Sequence, residues 1–187
     1  MSLRVVGISA LMALVFSVVI NWPAAAQLMD PATPEQIAEQ LRAGGFEAEV
    51  HPPTNSSGPG ITSRAAEGVN FDISFDACND EGKRCQVMVF SAGFAFEDPD
   101  KRPSKADLNR WNLNEFGKAV ANANGDPWLD LEVNLVGGIT RTNLIDTMKW
   151  WNGLVGDFAA HIGWDAETRA VAAGRSTEAG LFGDTGR

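Results

Sequence analysis

The sequence has few of the residues and motifs that build metal centres, phosphate-binding loops and nucleophilic sites. Its 187 residues include only two cysteines and two histidines, His51 and His161. It contains no G-x-G-x-x-G stretch, no other glycine-rich phosphate loop and no G-x-S-x-G motif. We therefore expect no enzyme, no catalytic residue, no metal ligand and no cofactor, and a hydrolase with an unrecognised site is the weakest hypothesis. Either histidine could serve as a general base, but a solvated or helix-terminal histidine is the favoured interpretation.

The sequence also lacks an excess of positive charge. It carries 15 lysines and arginines against 24 aspartates and glutamates, a formal net charge of −9. Phosphate-rich partners are repelled by such a charge, so we expect no nucleic-acid binding and no adsorption to an anionic membrane.

One long apolar run is present, at the start of the chain. Arg4 precedes 16 apolar or small residues from Val5 to Ile20, and Ala24, Ala25 and Ala26 follow. A basic residue, an apolar stretch shorter than a membrane span and an A-x-A site predict a signal peptide over residues 1–26, cleaved before Gln27. An uncleaved anchor is the alternative. We expect a periplasmic or secreted protein with no stable membrane insertion after cleavage.

The two cysteines, Cys78 and Cys85, flank a polar turn between two strand-like segments. In an oxidising compartment this spacing is typical of a disulfide that closes a hairpin. A C-x6-C metal or redox pair is the alternative, although metal sites need further ligands and redox pairs usually have the C-x-x-C spacing.

Local patterns predict three helices. The first begins at the capping residues Thr33-Pro34-Glu35-Gln36 and stops at Gly44-Gly45. The second begins after Ser104. The third is capped by Thr140 or Thr142, and its apolar stripe consists of Leu144, Met148, Trp151, Val155, Phe158 and Ile162.

Alternating apolar residues predict the strands. Residues 46–50 and 69–76 are strand-like, residues 85–96 return as a hairpin partner, and residues 61–68 are ambiguous. A second hairpin is predicted over residues 116–123 and 128–136, around Asn124-Gly125. The element order α-β-β-β-α-β-β-α predicts an α+β fold, with helices on one face of an antiparallel sheet of about five strands. We expect one domain over residues 27–163 and a flexible tail over residues 164–187.

Several stretches of this chain resemble the YbjN family, also described as bacterial sensory transduction regulators. The resemblance covers about residues 33–163. It rests on the cysteine pair, on Asn109, Trp111 and Asn112 before Phe116, on Gly125-Asp126-Pro127, on the segment from Leu131 through Gly137 and Gly138 to Thr140, and on Trp151 with Phe158.

This resemblance implies a fold similar to type III secretion chaperones, with a twisted antiparallel sheet, three helices and, often, a homodimer. It implies regulation or protein interaction and supplies no catalytic residue. The predicted export departs from secretion chaperones, which are cytoplasmic, and puts a direct secretion-chaperone role in doubt.

Candidate interaction residues follow from the periodicity. Trp150 lies beside the apolar stripe, and Trp128 is out of phase with the leucines of its strand, so both can anchor a partner. Asp130 and Glu132 lie on the polar side of the same strand, where they could join Asp72 and Asp76 in a Ca²⁺ site. A solvated polar face is the favoured interpretation. Asn109 and Asn112 either satisfy backbone groups or face a ligand, and the first interpretation is favoured.

These observations favour an exported, non-enzymatic protein-interaction module, a regulatory or chaperone-like adaptor with a polypeptide partner. The alternative is a periplasmic sensor domain for a small molecule or Ca²⁺.

Overall fold

A computed structural model describes residues 28–30, 32–54, 58–65, 68–81 and 83–164. The predicted signal peptide lies outside the described residues, and so does all of the predicted tail except Trp164.

Eight strands and three α-helices make up the described fold. The strands are β1 (Leu28–Met29), β2 (Glu49–His51), β3 (Gly60–Arg64), β4 (Asn70–Asp76), β5 (Val87–Gly93), β6 (Lys118–Ala121), β7 (Pro127–Asn134) and β8 (Ile139–Thr140). The helices are α1 (Pro34–Ala43), α2 (Lys105–Asn114) and α3 (Arg141–His161), with a 3₁₀ turn at Pro99–Lys101.

Six of the strands form one open antiparallel sheet in the order β2-β3-β4-β5-β7-β6, and β1 pairs with β8 separately. The predicted α+β class is confirmed. The main sheet has six strands because the ambiguous segment at residues 61–68 contributes β3. Both predicted hairpins are present, as β4–β5 and β6–β7.

Alternation along the strands gives the sheet one apolar face and one largely polar face. In β4, Phe71, Ile73 and Phe75 are buried, while Asp72 and Ser74 lie on the opposite face. We call the polar side the outer face. The apolar side buries the stripe of α3, whose Trp151 ring centroid lies 5.6 Å from that of Phe71 and 5.6 Å from that of Phe90.

Side-chain caps fix the start of each helix. The hydroxyls of Thr33 and Ser104 accept hydrogen bonds from the third helical N–H in complete capping boxes. Thr140, the first of the two residues predicted to cap α3, accepts from Asn143 N–H at 3.2 Å.

The helix α2 lies antiparallel along α3. Near the start of α2, the carbonyl of Asp107 lies 2.9 Å from His161 Nε2, and one turn later the Trp111 ring centroid lies 4.9 Å from that of Phe158. The core also includes Trp164, which the domain prediction assigned to the tail. Its indole N–H donates to the Ala95 carbonyl at 3.1 Å.

Replacing glycine by alanine should change the stability of the protein in opposite directions at Gly153 and at Gly137. A Cβ at Gly153, inside α3, or at Gly137, after β7, meets no atom within 4 Å, but Gly137 has φ +85°. Because alanine is the better helix former, Gly153→Ala should raise the free energy of unfolding by roughly 0.5–1 kcal/mol. Gly137→Ala should lower it by about 1–2 kcal/mol, since an L-residue is strained at that φ. Urea unfolding of both variants tests this pair, and a destabilised Gly153→Ala would contradict it.

Candidate functional site

The four residues predicted as a partner surface do not lie together. Trp128, Asp130 and Glu132 alternate with the buried Leu129 on β7 and therefore share the outer face. Trp150 lies on α3, which packs against the opposite face of the sheet. The structure thus presents two separate candidate surfaces.

A row of polar side chains crosses the outer face in register. Its pairs run from Glu49 on β2 through Thr62, Asp72, Ser91 and Asp130 to Lys118 on β6. The Thr62 hydroxyl donates to Asp72 Oδ1 at 2.9 Å, and the Ser91 hydroxyl donates to Asp130 Oδ1. We call this set the polar row. Two hydroxyl–carboxylate pairs of the row are thus satisfied across neighbouring strands.

Burial raises the pKa of the Asp72 carboxyl above its ordinary value. The hydrogen bond from Thr62 and the nearby His51 act in the opposite direction and offset only part of this effect. Asp72 therefore retains its proton to a higher pH than an exposed aspartate does.

The two histidines both make structural contacts. His51 Nε2 lies 2.8 Å from Thr62 Oγ1, and because that hydroxyl donates to Asp72, the histidine is the donor. His161 Nε2 faces the carbonyl oxygen of Asp107, which only accepts, so it too donates. With Nε2 carrying a proton in both rings, that nitrogen is not available as a general base.

The carboxylates predicted as an alternative Ca²⁺ site do not converge. Ser91 on β5 stands between Asp72 and Asp130 in the polar row. Across the described ranges, no group of three or more histidines, cysteines, aspartates and glutamates could hold a metal ion.

The Trp128 indole lies directly over the backbone of β5. A Cβ at the paired residue Gly93 would come within 2.8 Å of two indole carbons, so only glycine leaves room for the ring. Gly93 was not among the residues predicted from the sequence, although a glycine inside a strand pattern often marks a close approach of this kind.

The second candidate surface is aromatic. Trp150 is 58% exposed and Phe116, just after α2, is 68% exposed, with ring centroids 5.8 Å apart. We call these two residues the aromatic pair. Leu113, near the end of α2, is 84% exposed. Phe116 was predicted to begin a strand and was not among the predicted surface residues; in the structure it precedes β6.

Of the two motif asparagines, Asn112 satisfies a backbone position. Its Nδ2 donates to the Ala119 carbonyl at 2.9 Å, and its Oδ1 accepts from the Ala119 N–H at 2.7 Å. Asn109 is exposed one turn earlier on α2. Gly138, the residue after Gly137, has φ +86°. Because it has no side chain, the Met29 carbonyl of β1 can lie close to its Cα.

Cys78 and Cys85 form a disulfide across the turn between β4 and β5. The pairing agrees with the predicted hairpin closure.

An open cleft of about 670 Å³ lies between the end of α1 and the β2–β3 edge, with Arg42 and Arg64 in its lining. Arg42 donates to the Ala48 carbonyl, and Arg64 faces Glu47 at 3.8 Å. Both guanidinium groups are therefore already engaged.

No helix among the described segments combines the length and apolar character needed to cross a bilayer.

A family model, YbjN, described as "Putative bacterial sensory transduction regulator", matches residues 33–164. The chain belongs to the YbjN family. No curated protein and no solved structure matches it.

The raised pKa of Asp72 predicts a pH-dependent stability. The folded state holds this proton above the pKa of about 3.9 in the unfolded chain, so stability falls as pH rises through that interval. Asp72→Asn removes the buried charge and keeps an acceptor for Thr62. Its free energy of unfolding should exceed that of the wild type at neutral pH, and the difference should shrink below about pH 4.

Asp76→Asn, at an exposed position on the same strand and face, is the matched control. A pH-independent difference for Asp72→Asn would refute this account.

The disulfide predicts that both cysteines are oxidised in protein recovered from an oxidising compartment. Intact mass measured without reductant should lack two hydrogens relative to the reduced protein. Because the closed loop spans eight residues, reduction should lower the free energy of unfolding by about 2.5 kcal/mol. Two free thiols in protein recovered from that compartment without reductant would contradict the prediction.

Proposed function

We propose that this YbjN-family protein is an exported, non-enzymatic regulatory adaptor that binds a polypeptide partner through the aromatic pair. The family description supports a regulatory role. The observation that carries the proposal is the exposure of Phe116 and Trp150, which lie in contact yet leave more than half of each side chain in solvent. Burying such rings under a partner removes apolar surface from water, which is why tryptophan so often anchors interfaces.

Three further features support parts of the proposal. An open sheet with helices on one face is an architecture expected of a chaperone-like adaptor. Both histidine Nε2 atoms donate hydrogen bonds, which counts against general-base chemistry at those nitrogens. The predicted signal peptide supports export and a periplasmic or secreted location.

We prefer the aromatic pair to the outer face as the partner-binding surface because polar and aromatic groups of the outer face already have contacts within the protein. On the outer face, Thr62 and Ser91 already donate to Asp72 and Asp130, and Trp128 already packs on Gly93. The aromatic pair packs on itself and is otherwise open. A partner with an apolar anchor, such as an exposed leucine or aromatic residue of a polypeptide, fits this surface.

The partner surface can be mapped by site-specific photo-crosslinking in cells. Leu113 is exposed and lies three residues before Phe116 in the sequence. A photoreactive residue at this position should capture one or a few polypeptides. The same probe at exposed Glu132 on the outer face is the positional control. Mass spectrometry then identifies the captured chain for purification.

With purified partner, Trp150→Ala should weaken binding at least tenfold, about 1.4 kcal/mol, because the lost indole contributes buried apolar area. Trp128→Ala is the matched control on the other face and should leave the Kd unchanged. Unchanged binding by a folded double variant, Phe116→Ala with Trp150→Ala, would eliminate this surface. Loss of binding in Trp128→Ala alone would assign the partner to the outer face.

A further inference from the structure

The strand β6 lies at one edge of the main sheet and pairs only with β7 within that sheet. An edge strand presents unpaired N–H and C=O groups and can accept a strand from another molecule. In an antiparallel pair, successive residues direct these groups alternately toward the partner strand and away from it.

Asn112 of α2 lies against the outward side of Ala119, in the middle part of this edge strand. Its side-chain amide bonds both the N–H and the C=O of Ala119, so both backbone groups point away from β7. By alternation, Lys118 and Val120 direct their backbone groups toward β7, and Ala119 and Ala121 direct theirs outward. A primary amide offers one donor and one acceptor side by side, as a neighbouring strand would.

We infer that Asn112 closes the β6 edge against a second copy of this chain: its amide takes the place that the partner strand would fill. With Ala119 covered, Ala121 is the only outward-facing residue left in the four-residue strand. A single residue is too short for stable strand pairing. This inference is independent of the proposed function.

The opposite edge supports the same interpretation. There β2 has only three residues, and the guanidinium of Arg42 donates to the Ala48 carbonyl just before the strand. Both edges of the six-stranded sheet are therefore short and bounded by a side chain from a helix. These are devices by which proteins prevent edge-to-edge association.

Once the Asn112 amide is removed, a second copy fits this edge because two β6 strands can pair about a two-fold axis through Ala119. In that register Lys118 lies opposite Val120 of the other copy, so no like charges meet. The arrangement is isologous, as closed dimers require.

The test compares Asn112→Ala with Asn109→Ala, a matched removal of an exposed amide from the same helix. Sedimentation velocity over a range of concentrations should show one additional association step for Asn112→Ala and none for Asn109→Ala. In wild-type protein, the Ala119 amide should exchange with solvent deuterium more slowly than the Ala121 amide. In Asn112→Ala at low concentration this protection should be lost.

The pairing of Lys118 with Val120 of the second copy suggests a second variant that tests the inference. Val120→Lys in the Asn112→Ala background places lysines opposite each other in the two-fold pair and should abolish the additional association step. A folded Asn112→Ala protein that shows no added association would overturn the inference, and so would association that survives Val120→Lys. If Asn112→Ala does not fold, the wild-type exchange rates decide, because equal rates at Ala119 and Ala121 exclude a closed edge.

Discussion

The packing of Trp151 against Phe71 and Phe90 is the contact on which the rest of the structure depends. Each ring is almost fully buried, and together they join α3 to the two central strands β4 and β5. Removing three large rings from water supplies apolar burial that no contact within one element could match. It also decides which face of the sheet the helices cover, and therefore which surfaces remain for a partner.

The helices cover one face of the sheet. In the described part of the chain, the outer face and the open sides of the two edge strands therefore have no apolar layer packed against them and depend on other contacts. On the outer face, hydroxyls of Thr62 and Ser91 bond the carboxylates of neighbouring strands, which keeps partly buried acids such as Asp72 hydrogen-bonded. At the β6 edge, the amide of Asn112 replaces a strand. On the outer face and at the β6 edge, these polar groups bond laterally to neighbouring strands, while the apolar groups pack beneath the sheet.

The helical side of the molecule differs from the outer face because it exposes two aromatic rings that are not part of the core. The helix α2 lies along α3 with Trp111 against Phe158, and where α2 ends, Phe116 meets Trp150 in solvent. This exposed pair of rings is the surface that the proposed partner would cover.

The sequence by itself determined what local geometry controls. Alternation in β4, the capping boxes of Thr33 and Ser104 and the α3 stripe predicted the elements and the α+β class, because each depends on neighbours within a few residues. Only the tertiary structure decided that β3 completes a six-stranded sheet, that β5 pairs with β7, and that Trp150 and Trp128 lie on opposite sides. These depend on contacts between residues distant in sequence. Phe116 reached Trp150 only because packing of the core placed the end of α2 beside α3.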